Sequence, residues 1–294
     1  MSRTLNEVLL AIRQRMQQAK IEDADLEAEV LVRHALSIDR AHLYSNMGSS
    51  MGDEMVTYLY TLLRRRLENE PTAYITGHRE FYGLEFAVNR DVLIPRPETE
   101  TLVEAAIEIA RASVESWGAP VIADIGTGSG AIAVSLAVNL PEARIYAVDR
   151  SYGALDIARK NAESHGVLDR ITFLEGDLLA PLPQPVHILA ANLPYVKTDD
   201  WRELPPEIRI HEPRMALDGG DDGLDLIRRL LDDAPQHLVD GGVILAEFGV
   251  GQQNFLLDYA RMHYGSVTIR PDLAGRPRVL VVRREGPQPA QEPS

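Results

Sequence analysis

The chain has 294 residues, 45% of them hydrophobic and 25% charged, the balance of a folded globular protein with room for two domains. It has no cysteine, which excludes disulfide scaffolds, thiolate metal sites and a cysteine nucleophile, and agrees with a reducing, cytoplasmic setting. Its net charge of −14 weighs against a nucleic-acid binder, and no apolar run approaches the roughly 20 residues of a membrane-spanning helix.

Residues 1–72 predict a small helical bundle. Their start shows no basic, then apolar, then small-residue order, so a signal peptide is not expected. Thr4 and Glu7 have the spacing of a capping box, and Leu5, Val8, Leu9, Ile12 and Met16 follow at helical intervals. A second helix is expected over 23–36 with Leu26, Val30, Leu31 and Ala35 on one face. A third, over 53–68, carries Met55, Val56, Leu59, Leu62, Leu63 and Leu67, and Pro71 closes it. The triplet Arg64-Arg65-Arg66 reads as a solvated helix face. Nothing in this stretch carries chemistry; accessory domains of this kind dock a partner or position a substrate.

Residues 73–98 change character. Tyr74 to Gly77 and Phe81 to Val88 alternate, are rich in aromatic and branched residues, and predict a β-hairpin linker. Pro95 and Pro97 hold the following segment extended. Thr99 is placed to cap the next helix, and Arg96 and Glu98 either to form an ion pair bracing the junction or to contact a substrate directly.

From 99 to 284, strands alternate with amphipathic helices. Strands are expected over 121–125, 144–148, 171–174, 186–190, 243–248, 266–269 and 279–282, with helices over 102–116, 131–139, 152–165, 224–238 and 252–263. This is the pattern of an α/β, Rossmann-like domain whose seven-stranded sheet is mostly parallel. The last two strands lack an intervening helix and predict a hairpin. The tail, 285–294, is Pro-, Gln- and Glu-rich and is expected to be disordered.

Chemistry concentrates at strand ends. Asp124-Ile125-Gly126-Thr127-Gly128-Ser129-Gly130 follows an apolar strand, and such a turn lets a ligand approach the backbone at a helix N-terminus. Its G-x-G-x-G spacing departs from the dinucleotide fingerprint, and no Lys-Ser/Thr follows to make a P-loop. Asp149, about 20 residues later at the tip of the second strand, suits ribose hydroxyls. After the third strand, Asp177 is placed to meet an adenine amino group and Leu178 to pack on the ring.

These three stations resemble the cofactor half of class I methyltransferases that use S-adenosylmethionine. The resemblance implies that the glycine loop holds the methionine part, Asp149 the ribose and Asp177-Leu178 the adenine. S-Adenosylhomocysteine would be the product.

Asn192-Leu193-Pro194-Tyr195 ends the fourth strand and is similar to the Asn-Pro-Pro-Tyr motif of enzymes that methylate planar nitrogen. An amide nitrogen is a poor nucleophile because its lone pair is delocalised. The Asn192 side-chain oxygen and the Leu193 carbonyl can each accept one of its N–H bonds, and the Tyr195 ring offers a flat surface to stack on. Leu193 replaces the first proline, but Pro194 still biases it toward extended angles.

Further stretches narrow the family. They are Leu93 to Glu100, Glu212-Pro213 through Ala216-Leu217, Gly219-Gly220, Asp222-Gly223-Leu224, Glu247-Phe248-Gly249 with Gln252, and Asp272 to Arg276 with Arg278. Together they resemble the release-factor glutamine methyltransferases, the PrmC/HemK family. That resemblance implies N5-methylation of the glutamine in the Gly-Gly-Gln loop of class 1 peptide chain release factors, a step tied to translation termination. It also implies that the helical domain docks the protein substrate. A ribosomal-protein glutamine methyltransferase and an adenine-N6 nucleic-acid methyltransferase share parts of the pattern. So would a non-catalytic module retaining the fold, although Asn192 and the glycine loop are intact. The eight histidines show no metal spacing, and neither membrane nor metal is expected as a partner.

Overall fold

The computed structural model describes residues 3–285; the expected disordered tail lies, from residue 286 on, outside the described residues. The chain forms two compact units. One comprises the chain up to His78 together with Pro205–His211, the other Arg79–Leu204 and the chain from Glu212 on.

In the helical unit, the strand β1 (Arg3–Thr4) leads into α1 (Leu5–Gln18). The capping box forms in both directions: the Glu7 amide donates to Thr4 Oγ1 and the Thr4 amide to Glu7 Oε2, at 3.3 and 2.7 Å. The next helix, α2 (Ala24–Leu36), buries Ala24, Ala28, Leu31 and Val32; of the expected face, Leu31 is buried and Val30 and Ala35 are half-buried, and Leu26 alone is off it. Leu26 lies two residues from Ala24 and Ala28, on the opposite side of a 3.6-residue turn, and is exposed. A short helix, α3 (Arg40–Ser45), capped by Asp39, has no counterpart in the sequence reading. The strand β2 (Ser50–Met51) pairs with β1, and α4 (Asp53–Leu67) buries Leu59, Leu62 and Leu63 against α1 and α2. Leu67 is exposed at its end.

Two expectations fail here. Arg66 is not solvated: it is buried, with Nε 2.5 Å from Glu27 and Nη2 2.8 Å from Glu207, the latter on the returning segment Pro205–His211. An arginine tolerates this burial because two carboxylates satisfy its fork. The stretch around Tyr74 is α5 (Thr72–Thr76) rather than a strand. Pro71 precedes it, left-handed Gly77 ends it, and Tyr74 and Ile75 become buried together on the helical turn.

In the larger unit, the hairpin runs as β3 (His78–Phe81, whose first residue closes the helical unit) and β4 (Leu84–Ala87). After it come α6 (Glu100–Ala112) and α7 (Val114–Trp117), then β5 (Val121–Ile125), α8 (Ala131–Asn139), β6 (Arg144–Asp149) and α9 (Tyr152–Ser164). The chain continues through β7 (Ile171–Glu175) and β8 (Val186–Ala191), and α10 (Pro206–His211) belongs to the returning segment. It ends with α11 (Asp225–Asp233), β9 (Leu238–Glu247), α12 (Gln253–Arg261), β10 (Ser266–Pro271) and β11 (Pro277–Arg283).

The seven strands are ordered β10-β11-β9-β8-β5-β6-β7, with β9, β8, β5, β6 and β7 parallel and the β10–β11 hairpin antiparallel at one edge. The central strands β5 and β8 are almost wholly buried because helices cover both faces. Two apolar clusters fill those faces, one around α6 and α8 and the other around α11 and α12. Strand order reverses between β5 and β8. In an open α/β sheet the carboxyl ends at that point flank a crevice, and every candidate station sits there.

Candidate active site

The glycine turn follows β5. Gly126, Gly128 and Gly130 all have left-handed φ, +75°, +53° and +80°, which side chains resist. The Gly126 and Thr127 amides both donate to the Val148 carbonyl at 2.9 Å, fastening the turn to β6. Asp124, fully buried, accepts from Thr127 Oγ1 at 2.6 Å and from the Ala133 amide at 3.1 Å. Burial pushes its carboxyl up to about 7, against the pull of those two donors.

Of the five loop residues expected to touch a ligand, Gly126 and Gly128 line the cleft. Thr127, Ser129 and Gly130 do not. The Thr127 hydroxyl is spent on Asp124, the Ser129 carbonyl accepts from Asn161 Nδ2 at 2.8 Å, and Gly130 abuts Ala158 so closely that a Cβ would stand 3.0 Å from it. These three hold the loop rather than face the cleft.

Asp149 lines the cleft at the end of β6. Its Oδ2 accepts from the Gly128 amide and its Oδ1 from the Ser151 amide, both at 2.9 Å. Each oxygen keeps a lone pair for a hydroxyl. Burial raises its pKa, opposed by these amides. Leu178 reaches the cleft in a left-handed conformation, φ +47°. Asp177 lines it too, although its carboxylate also meets Arg229 Nη2 at 2.5 Å.

Asn192, Leu193 and Pro194 line the cleft from the end of β8. Asn192 Nδ2 donates to Thr99 Oγ1 at 2.9 Å, and Asn192 Oδ1 accepts no hydrogen bond among the described residues. Thr99 therefore does not cap α6, as its position suggested; its hydroxyl is turned to Asn192. The Leu193 side chain packs 3.2 Å from where a Gly126 Cβ would stand, so the leucine that replaces proline seals one turn against the other. Tyr195 lies outside the cleft lining. Its hydroxyl donates to buried Glu247 Oε1 at 3.2 Å, and burial raises the pKa of both groups.

Residues that carried the family resemblance, but had no assigned role, surround this turn. Gln252 Nε2 donates to the carbonyls of Tyr195 and Gly223 at 3.1 and 3.2 Å, while its Oε1 accepts from the Gly249 amide at 2.8 Å. Gly219 and Gly223 admit no side chain: a Cβ would lie 2.5 Å from the Pro194 carbonyl and 2.3 Å from that of Tyr195. Val196 and Asp218 form a short parallel bridge, with the Gly219 amide donating to the Val196 carbonyl and the Val196 amide to that of Leu217. Arg96 pairs with Glu212, at 2.5 Å, and not with Glu98; Glu212 also accepts from the Ile94 amide. Only the recurring glycines hinted in sequence at so tight a clasp.

The cleft holds about 800 Å³ of empty space counted together with its solvent-open mouth. Its walls are mostly apolar, with Asp149, Asp177 and Asn192 as the polar groups already described. A bare glycine backbone, a half-buried carboxylate with spare lone pairs and an apolar slot beside Leu178 suit a nucleoside bearing a polar tail. Among the described residues no cluster of acidic or histidine side chains could hold a metal, and no helix is long and apolar enough to cross a membrane.

The sheet order and the stations at its carboxyl edge define a methyltransferase fold. Residues 122–211 match a family model described as a methyltransferase domain. Among solved structures, the hMettl16 catalytic domain in complex with an RNA hairpin superposes with a TM-score of 0.55 at 17% identity, covering 84% of this chain and 86% of that one. A T. thermophilus 16S rRNA methyltransferase in complex with AdoMet and guanosine gives 0.51 at 17% identity, over 71% of this chain and 50% of that one. These two share the fold.

Residues 7–77 match the PrmC N-terminal domain. The release factor glutamine methyltransferase of Moorella thermoacetica is 42% identical over 96% of this chain and 99% of its own. That of Geobacter sulfurreducens is 42% identical over 86% and 87%. The chain belongs to the release factor glutamine methyltransferase family.

Proposed function

We propose that the protein transfers a methyl group from S-adenosylmethionine to the side-chain amide nitrogen (N5) of the glutamine in the Gly-Gly-Gln loop of class 1 peptide chain release factors. The observation that carries this reading is Asn192 at the switch point of the sheet, a residue that lines the cleft, with its amide nitrogen tied to Thr99 and its oxygen without a hydrogen bond among the described residues. When bound, S-adenosylmethionine supplies a methyl group made electrophilic by its sulfonium. Gly126 and Gly128 would hold its methionine part through the backbone, Asp149 its ribose, and Asp177 with Leu178 its adenine.

Asn192 Oδ1 and the Leu193 carbonyl accept the two N–H bonds of the incoming carboxamide. That aims the nitrogen in line with the methyl and stabilises the positive charge that grows on it. The nitrogen held by these two acceptors would shed one proton to water on taking up the methyl group that S-adenosylmethionine would supply. Alignment and charge stabilisation replace a strong base. The Tyr195 hydroxyl, bound to Glu247, fixes the far end of the turn instead of removing a proton. The helical unit would dock the release factor, and neither membrane nor metal enters the scheme. The reaction belongs to the cytoplasm, where a cysteine-free chain fits.

Incubation with methyl-labelled cofactor and recombinant release factor, followed by peptide mapping, tests the reading. Label is expected on one glutamine, in the Gly-Gly-Gln tryptic peptide. Label elsewhere, or none, overturns it.

A further inference from the structure

The geometry points to Thr99 as a positioning residue for the transfer step: it locks the Asn192 carboxamide with nitrogen inward and oxygen toward the nitrogen to be methylated. The inference rests on the reading above for its reaction, but not for its geometry.

A side-chain amide can sit either way round, and the two orientations occupy nearly the same space. In this site the wrong one would offer the substrate amide an N–H where it needs an acceptor. Something must choose. A threonine hydroxyl has one proton and can accept as well as donate, so alone it would tolerate both orientations.

Glu247 removes the ambiguity. It is 1% exposed, its Oε1 accepts from the Tyr195 hydroxyl, and the Thr99 hydroxyl pulls its carboxyl down against the burial that raises it. Its other oxygen, Oε2, is buried and has no hydrogen-bond partner among the described residues. A buried carboxyl oxygen left without a partner is costly. The Thr99 proton is therefore drawn to Glu247, which leaves the Thr99 lone pairs facing Asn192. Only an N–H can complete that contact, as observed at 2.9 Å.

Thr99 is buried at the end of the Pro97–Thr99 turn, 93 residues from its partner, so the contact depends on the fold rather than on local chain geometry. Thr99 is not among the residues that line the cleft. Its removal should misalign the acceptor while leaving both binding steps in place.

Thr99→Val keeps the shape and deletes the hydroxyl; Thr99→Ser keeps the hydroxyl and deletes a methyl. With release factor as substrate, Thr99→Val is expected to lower kcat by about 10- to 100-fold, with KM and cofactor Kd within about twofold of wild type. Thr99→Ser should stay within about threefold in kcat. Should Thr99→Val fail to bind cofactor, Thr99→Ala, which makes no packing demand, is measured in the same way.

A second readout needs no turnover. The Asn192 side-chain NH2 resonances, assigned by their loss in Asn192→Ala, should move upfield in Thr99→Val and hold in Thr99→Ser, in the protein alone. Absence of methylation by wild type would sink the proposed reaction and leave this amide test standing. Unmoved amide resonances in Thr99→Val, or a kcat equal to wild type, would overturn the role of Thr99.

Discussion

The two turns that face each other across the cleft are built by opposite strategies. The glycine turn is assembled from its own neighbourhood: Asp124 takes its bonds from residues three and nine positions on, and three left-handed glycines set the path. The Asn192 turn is held from far away. Thr99 stands 93 residues off, Gln252 57 and Glu247 52, while Gly219 and Gly223 press from a separate loop. A binding loop needs only to expose its backbone, which local sequence can arrange. A reacting group must be oriented in three dimensions, and that takes several elements converging on it.

Substitutions on each side should separate these strategies. The largest effect is expected for Asn192→Ala: kcat lower by about 10³-fold, with cofactor Kd within about threefold by calorimetry. Equal losses in both quantities would erase the contrast.

Gly223→Ala comes next. Its Cβ would collide with the Tyr195 carbonyl at a left-handed position, φ +76°. The expected cost is about 2–3 kcal/mol in denaturant unfolding, together with a fall in kcat larger than any rise in cofactor Kd. A Gly223→Ala protein of wild-type rate would show the clasp to be idle.

The smallest effect sharpens the other side. Asp124 has its folded pKa raised to about 7 from 3.8, so between those values the folded state binds the extra proton. This group therefore lowers stability as pH climbs from about 4 to 7 and leaves it flat above. Asp124→Asn deletes that titration. Relative to wild type, its unfolding free energy should improve by on the order of 2 kcal/mol from pH 5 to pH 8. A constant gap across that range would mean that Asp124 does not titrate there.

The same contrast explains what could be read in advance. Alternating strands and helices, the capping box at Thr4, and Asp149 at a strand tip are local patterns, and the structure contains each of them. Glycine spacing located the loop, but could not tell residues that face the cleft from those, such as Thr127 and Gly130, that brace it. Thr99 looked like a cap because capping is what a threonine before a helix ordinarily does. Its actual partner lies beyond any window of sequence. Arg96 was paired with the nearest acid, Glu98, whereas folding brought Glu212. The strand expected at Tyr74 became helix because five residues between Pro71 and Gly77 suffice for one turn that buries two large side chains together.

The return of Pro205–His211 to the helical unit has a consequence for how the protein can be taken apart. The chain passes from one unit to the other at three places, not one. Cutting the polypeptide after His78 does not release a self-sufficient module, since Glu207 departs with the remainder and leaves buried Arg66 one carboxylate short. The amino-terminal bundle is thus no interchangeable cassette: any graft, truncation or swap must carry that seven-residue loan along with it.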